Sequence, residues 1–214
     1  PEADRTMTPD TDTPLLSVRG LTISFGKGRN RNVAVQDLSY DLHPGETLAI
    51  VGESGSGKSV SSMALLGLLP PGSANVETGT ATFDGRDLLT LTDEELRGIR
   101  GDRVTMIFQE PMTSLTPVLR IGQQLTEALI EHKGMSRAEA AARGREMLTL
   151  VGLDDAPRRM RQFPHELSGG MRQRVMIAMA MSSDPAILLA DEPTTALDVT
   201  VQAQILDLMR DLKT

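Results

Sequence analysis

The sequence predicts an α/β fold, in which a parallel-sheet core carries an N-terminal antiparallel β subdomain and an inserted α-helical subdomain. Residues 15–42 alternate apolar and polar side chains, as half-buried antiparallel strands do. Residues 47–52 (TLAIVG) and 187–192 (ILLADE) are almost entirely apolar and end at a glycine or at two acids, which is typical of buried parallel strands. Between them, residues 118–181 follow the helical period, so the helices form an insertion between strands of one sheet.

Pattern and composition divide the chain into a lead-in and two structural parts. Residues 1–14 are polar and contain proline, and we expect them to be disordered. The α/β core with its β subdomain is predicted over residues 15–109 and 184–214. The helical subdomain is predicted over residues 110–183.

Shorter signals predict individual strands and turns. Residues 79–88 (GTATFDGRDL) predict a strand followed by a turn, and residues 104–109 (VTMIFQ) predict a buried strand. A glycine-rich segment follows the strand at 47–52, and the apolar run after it, residues 60–69, has helical spacing.

Four further helices are predicted from periodicity and capping signals. One places four apolar residues on a single face and stops at Gly134: Val118, Ile121, Leu125 and Leu129. The next opens with a capping box of Ser136 and Glu139 and ends at Gly152. A largely apolar helix follows Gly170, and its methionines are expected to form adaptable core. The last helix has apolar residues at helical spacing at Val201, Ile205, Leu208 and Leu212.

The composition excludes several classes of protein. The chain of 214 residues has a formal net charge of -7 and no long basic run, so a nucleic-acid partner is not expected. It has no cysteine, which excludes disulfides and thiolate metal sites. No apolar run approaches the roughly 18 residues of a membrane-spanning helix, and the first residues given lack the basic and apolar regions of a signal peptide. We therefore expect a soluble, cytoplasmic protein.

The segment GESGSGKS matches the phosphate-binding pattern G-x-x-x-x-G-K-[ST] between a predicted strand and a predicted helix. Glycines let backbone N–H groups surround phosphate oxygens, and the helix N-terminus adds its dipole. Lys58 is expected to reach the β- and γ-phosphates, and the Ser59 hydroxyl to bind Mg²⁺. The alternative, a tight turn that needs glycine, does not explain the Lys-Ser pair. The predicted nucleotide-binding residues here are Gly52, Glu53, Ser54, Gly55, Ser56, Gly57, Lys58, Ser59 and Val60.

Two acids end the apolar stretch 187–192. Asp191 is expected to hold Mg²⁺ through water, and Glu192 to act as the general base that activates the attacking water. An Asp-Glu pair at a strand end is otherwise a solvated turn, and the phosphate-binding segment favours the catalytic interpretation.

Together these motifs resemble the ATP-binding cassette (ABC) ATPases, whose motif order the chain follows from about residue 15 to its end. The resemblance implies a P-loop NTPase (RecA-like) core. It implies a Q-loop residue, Gln109, that serves both the metal and catalysis, and a D-loop at 196–198 in which Asp198 contacts nucleotide. Phe25 stands where the family has an aromatic that stacks on adenine, and the alternative is a half-buried strand aromatic.

The family signature corresponds to LSGGM, with Ser168, Gly169 and Gly170 at its centre. The resemblance implies that this loop contacts the γ-phosphate of ATP held by a partner domain, with two domains packed head to tail. A glycine turn that caps a helix is the alternative. Arg172 and Arg174 are interpreted as helix-surface cations rather than phosphate contacts.

Longer strings, such as HELSGGMRQRVMIAMA and ADEPTTALDVTVQAQIL, resemble the ATPase subunits of bacterial dipeptide, oligopeptide and glutathione importers. The resemblance implies ATP and Mg²⁺ as ligands, and a second ABC ATPase domain in a homo- or heterodimer. It also implies two membrane permease subunits and, indirectly, a substrate-binding protein, at the cytoplasmic face of the inner membrane. The alternatives are a non-transport ABC-type ATPase and an ATP-binding interaction module without turnover.

The family's switch histidine follows the D-loop, and the chain has no histidine after His165. We therefore expect a cassette that is incomplete at its C-terminus. Alone, it would hydrolyse ATP weakly and have a gapped or rearranged sheet.

Overall fold

The structure, a computed structural model, describes residues 13–109 and 114–192 together with Gln202, Ala203 and Asp207. The chain divides into two units, Pro1–Asp93 and Glu94–Thr214. The apolar positions of the last predicted helix (Val201, Ile205, Leu208 and Leu212), residues 1–12 and the D-loop residue Asp198 lie outside the described residues.

The first unit is a four-stranded antiparallel sheet with one α-helix, in the strand order β2-β1-β3-β4. Its elements are β1 (Leu16–Phe25), β2 (Asn32–Leu42), α1 (Lys58–Leu65), β3 (Ala74–Phe83) and β4 (Arg86–Asp87), with short 3₁₀ turns at Gly28–Asn30 and Leu88–Thr90. The antiparallel β subdomain predicted from the N-terminal pattern is therefore confirmed.

A β-bulge explains the alternation along β1. Leu16 and Val18 are buried, as are Leu21 and Ile23, so the inward-facing set shifts by one residue between the two pairs. The pairing register with β2 shifts at the same place, between Val18 and Leu21, where Gly20 has a φ of 57°. An extra residue at a bulge changes which side chains face the core.

The turn predicted between β3 and β4 is also confirmed. Asp84 and Gly85 both have positive φ, 49° and 73°, as the central residues of a type I′ hairpin turn do. Asp87 then accepts hydrogen bonds from the backbone N–H groups of Ala81 and Leu89, which fixes the short strand β4.

The prediction of a buried strand at residues 47–52 is wrong. This stretch belongs to neither sheet, and its apolar side chains are exposed, with Val51 at 91% and Ile50 at 41% of their accessible surface. A parallel strand is buried only between neighbouring strands and covering helices, and no described strand pairs with this stretch. Helix α1 ends at Leu65 rather than near 69, because Gly67, with a φ of 60°, and Pro70 follow it.

The second unit holds a parallel strand pair and the helices between its strands. Its elements are α2 (Asp93–Arg97, which starts at the unit boundary), β5 (Val104–Ile107), α3 (Ile121–Lys133), α4 (Arg137–Leu150), α5 (Ala156–Arg159), a 3₁₀ turn (Pro164–Glu166), α6 (Gly169–Met181) and β6 (Ile187–Ala190). Val104 is level with Ile187, and Ile107 with Ala190. Ile187 is buried but Ala190 is exposed, so β6 is less buried than predicted.

Helices α3, α4 and α6 pack around the apolar core of this unit, which includes Leu125, Met147 and Ile177. The methionines of α6 belong to this core as predicted: Met176 is buried, and Met171, Met179 and Met181 pack against it. Within the described residues, none of the helices combines the length and the apolar character that a membrane crossing requires.

The capping box of α4 is confirmed: the Glu139 N–H donates to Ser136 Oγ, and the Ser136 N–H donates to Glu139 Oε2. The inclusion of Val118 in α3 is wrong. Pro117 begins a turn that the Leu119 N–H closes on the Thr116 carbonyl, so α3 starts only at Ile121 and Val118 is 76% exposed.

Candidate functional site

The glycine-rich segment of the first unit forms a tight loop that ends at the start of α1. Gly55 and Gly57 have φ of 82° and 91°, a region that residues with a Cβ rarely enter. The Ser56 N–H donates to the Glu53 carbonyl at 3.2 Å, which closes the loop upon itself. Lys58 Nζ donates to the carbonyls of Gly52 and Glu53, at 2.7 and 2.8 Å, so the lysine side chain binds the first two residues of the loop.

At two of these glycines a side chain would clash with neighbouring atoms. A Cβ on Gly57 would lie 2.3 Å from the Ala34 carbonyl oxygen and 2.8 Å from Val35 Cγ2, both in β2. A Cβ on Gly52 would lie 2.6 Å from Ser56 Oγ. The loop is therefore packed against β2 at Gly57, whereas a Cβ on Gly55 would meet nothing within 4 Å and leaves space for close backbone approach.

Helix α1 offers donors to an anion in this loop. The first N–H groups of a helix, here those of Lys58, Ser59 and Val60, have no partner within the helix. These donors carry the positive end of the helix dipole, and the Lys58 ammonium adds a full charge. The N–H donors, the positive charge and the glycines, which lack side chains, fit the phosphates of a nucleotide.

Phe25 lies at the end of β1, half-buried, beside a network of charged side chains. Glu77 accepts hydrogen bonds from Arg31 and from the Ser24 hydroxyl, and Arg31 binds it through two guanidinium nitrogens. These bonds, that from Arg31 first, lower the pKa of Glu77 to about 2. Asn75 donates to the Gly26 carbonyl, so both sides of the turn after Phe25 are fixed. The stacking of Phe25 on adenine stays a prediction.

The ends of β5 and β6 bring three predicted site residues together in the second unit. The Asp191 N–H donates to the Ile107 carbonyl at 2.9 Å, which extends the parallel pairing past the last residue of β6. Gln109 Nε2 then donates to Glu192 Oε2 at 2.8 Å. Glu192 has a φ of 47°, unusual for a residue with a long side chain.

The oxygen donors of Gln109 and Asp191 are the ligand type that Mg²⁺ prefers, and Ser59 supplies a hydroxyl in the first unit. Within the part of the chain that the structure describes, no cluster of three or more His, Asp or Glu side chains could hold a metal by itself. Mg²⁺ is usually bound in proteins by one or two protein groups together with waters and substrate phosphates.

The signature segment forms the N-terminus of α6. Ser168 is the N-cap, and its Oγ accepts a hydrogen bond from the Met171 N–H at 3.3 Å. Gly169 and Gly170 are already the first two helical residues, so they do not form a glycine turn that caps the helix. A Cβ on Gly169 would meet nothing within 4 Å. Neither the backbone conformation nor the packing of the described residues requires glycine at that position.

The interpretation of Arg174 as a helix-surface cation is wrong. The side chain is half-buried, and its Nη1 donates to the carbonyls of Val151 and Gly152 at the end of α4. Arg172 is also half-buried. Arg143, which reaches from α4 to the end of α6, was not singled out from the sequence. No sequence motif marks an arginine whose partners are distant carbonyl groups.

A family model described as ABC transporter matches residues 35–195, more than half of the chain. The chain belongs to the ABC transporter family. The fold agrees, because two solved dimers of a bacterial ABC transporter cassette, one in a post-hydrolysis state bound to ADP and Pi, each match with a TM-score of 0.82 and 31% identity. Each match covers 92% of this chain and 82% of the cassette. The P-loop NTPase core with its antiparallel β subdomain and helices is thereby established.

Curated relatives within the family are more similar still. The chain is 55% identical to the peptidoglycan transport ATP-binding protein YejF of Agrobacterium fabrum, over 96% of this chain and 38% of that protein. It is 54% identical to the dipeptide transport ATP-binding protein DppD of Bacillus subtilis, over 93% and 59%. It is 54% identical to the oligopeptide transport ATP-binding protein OppD of Escherichia coli, over 93% and 58%. The chain spans roughly half the length of these relatives.

Proposed function

We propose that this ABC cassette binds ATP with Mg²⁺, hydrolyses it, and powers a bacterial importer of dipeptides, oligopeptides or related peptides such as glutathione. The transport part rests on the relatives, since a dipeptide and an oligopeptide transport ATP-binding protein are each 54% identical over 93% of the chain.

The observation that carries hydrolysis is the hydrogen bond between Gln109 and Glu192, 2.8 Å long, at the ends of two neighbouring parallel strands. Glu192 accepts the proton of the attacking water, and Gln109 orients the carboxylate and the water. Ser59, Gln109 and Asp191 are the residues that would hold Mg²⁺, and the bound ion would supply positive charge to the phosphate oxygens. Lys58 binds the β- and γ-phosphates, and Phe25 stacks on the adenine.

The signature residues act on a second cassette in this proposal. Ser168, Gly169 and Gly170 bind the γ-phosphate of ATP held by the partner domain, in a homodimer or a heterodimer, and Asp198 of the D-loop is proposed to contact nucleotide as well. The open space at Gly169 supports this. Because no described residue would touch a side chain there, a ligand from outside the chain would be the reason for glycine at this position.

The remaining partners are proposed from the relatives' names. We place the cassette on two permease subunits at the cytoplasmic face of the inner membrane, with a substrate-binding protein as an indirect partner. The division into a core (15–109 and 184–214) and a helical subdomain (110–183) stays a prediction.

Phosphate release from ATP tests the hydrolytic part. Glu192→Gln should keep ATP binding and lower turnover by about 10²- to 10⁴-fold, the usual contribution of a general base. Lys58→Ala should abolish ATP binding. Glu131→Gln is the matched control, because it makes the same change on the exposed surface of α3 and should leave turnover unaltered. Undiminished turnover in Glu192→Gln would exclude Glu192 as the base.

Uptake of a labelled dipeptide by whole cells tests the transport part. A strain that lacks the gene should lose uptake and regain it with the wild-type gene, but not with Glu192→Gln. Uptake that is unchanged by the deletion, with ATP hydrolysis intact, would leave an ATPase with another task.

A further inference from the structure

Helices α4 and α6 each place an arginine at the C-terminal end of the other helix. Arg174 of α6 donates through Nη1 to the carbonyls of Val151 and Gly152, at 2.7 and 3.2 Å, just after α4 ends. These are carbonyls that a helix terminus leaves without partners inside the helix.

The reciprocal contact comes from α4. Arg143 Nε donates to the carbonyl of Ser182, the C-cap of α6, at 3.3 Å, and its Nη2 binds Asp184 Oδ1 at 2.7 Å. Nη1 lies 3.1 Å from Glu146 Oε2 on its own helix, and the side chain is only 22% exposed. Both cations also lie at the negative end of a helix dipole, which favours them. We call the two arginines with their carbonyl partners the arginine clamp.

The arginine clamp joins α6 to α4 at two points, in addition to the apolar contacts between the two helices. Its two anchors on α6, Arg174 and Ser182, are eight residues apart, about 12 Å along a helix axis. Two anchors at that separation oppose sliding of α6 along α4. The anchor at Arg174 is less than two turns from Ser168, so it controls the end of the helix that carries the signature residues.

Gly152 makes room for this anchor. A Cβ there would lie 2.4 Å from Arg174 Nη1, so any larger residue would push the guanidinium off the carbonyls. Gly152 also has a φ of 73°, and it ends α4 in the left-handed conformation that turns its carbonyl toward α6.

We propose that Arg174 is a positioning residue: by holding the second turn of α6 on the C-terminus of α4, it places Ser168 and Gly169 for the γ-phosphate of the partner cassette. This inference rests on the proposed function of the signature residues. It assigns to Arg174 no contact with nucleotide.

The test is ATP-dependent dimerisation of the complete chain in a Glu192→Gln background, followed by analytical ultracentrifugation. Arg174→Ala should weaken the dimer at least tenfold, while binding of a fluorescent ATP analogue to the monomer stays unaltered. Arg174→Lys keeps the charge but loses the planar fork, and it should recover part of the affinity. Arg143→Ala is the matched control, because it removes the anchor at the far end of the same helix.

At equal melting temperatures, Arg174→Ala should weaken the dimer several times more than Arg143→Ala does. Equal weakening in both variants would show that the clamp only stabilises the fold and would overturn the inference. An unaltered dimer in Arg174→Ala, or in Arg174→Lys if the alanine variant does not fold, would overturn it as well. If the Glu192→Gln protein binds ATP but never dimerises, the proposed function of the signature fails first, and the inference fails with it.

Discussion

The two glycine loops of this chain use glycine for opposite reasons. In the phosphate-binding loop, Gly57 has a φ of 91°, and a Cβ would collide with β2. In the signature segment, Gly169 is in an ordinary helical turn and faces open space. The first glycine is required by the fold of its own unit, and the second is not required by any described part of the chain.

This difference separates two kinds of glycine motif that have the same appearance in the sequence. A glycine needed for backbone geometry is tied to stability, and its replacement alters folding and function together. A glycine needed only by an outside ligand can be replaced without cost to folding, and its replacement alters function alone. Stability and binding measured side by side therefore distinguish the two loops.

The largest effect on stability is expected for Gly57→Ala. The left-handed φ and the contact of 2.3 Å with the Ala34 carbonyl should together lower the free energy of unfolding by about 3 kcal/mol. ATP binding should be lost in the same variant. Gly55→Ala is the control, because Gly55 has a φ of 82° but meets nothing within 4 Å, and it should cost only about 1 kcal/mol. Urea denaturation measures both, and equal losses would contradict a steric requirement at Gly57.

An intermediate effect is expected at the N-cap of α6. Ser168→Ala removes the acceptor for the Met171 N–H and should lower the free energy of unfolding by about 1 kcal/mol. Ser168→Asp restores a capping acceptor and should regain that stability. Its carboxylate would repel a phosphate, however, so ATP-dependent dimerisation should still be lost. A Ser168→Asp protein that dimerises like the wild type would show that no anion approaches this helix end.

The smallest effect on stability is expected for Gly169→Ala, and its sign is opposite. Alanine is the better helix former, so the free energy of unfolding should rise by about 0.5 kcal/mol. Dimerisation with ATP should nevertheless fall sharply, because a methyl group enters the space kept for the ligand. Thermal melting and ultracentrifugation of the same sample check both halves. Destabilisation by more than about 1 kcal/mol would show that the fold requires glycine at Gly169, as it does at Gly57.

Features that depend on a few neighbouring residues could be predicted from the sequence. The capping box of Ser136 and Glu139 was found as predicted, as was the turn at Asp84 and Gly85. The phosphate-binding loop belongs to the same class, because its glycines, lysine and helix start lie within one short segment. Caps and turns are formed by local hydrogen bonds and local backbone angles, so the sequence encodes them directly.

Features that depend on distant partners could not be predicted. The apolar stretch 47–52 has the composition of a buried strand, but burial requires a neighbouring strand, and no described strand pairs with it. Arg174 looks like any helical arginine, and its partners are carbonyls about twenty residues earlier, on another helix. Backbone carbonyls occur at every residue, so the residue types in the sequence do not indicate which carbonyls will accept these hydrogen bonds.

The backbone conformation of Glu192 is strained, and this strain matters to anyone who evolves this protein in the laboratory. A residue with a Cβ at a φ of 47° costs the native state roughly 1–2 kcal/mol, which glycine avoids and asparagine reduces. Libraries sorted only by survival of heating will therefore enrich replacements of this glutamate. On the proposal that Glu192 is the general base, thermostabilised descendants would keep the fold and lose turnover, a trade between robustness and activity that only a combined screen prevents.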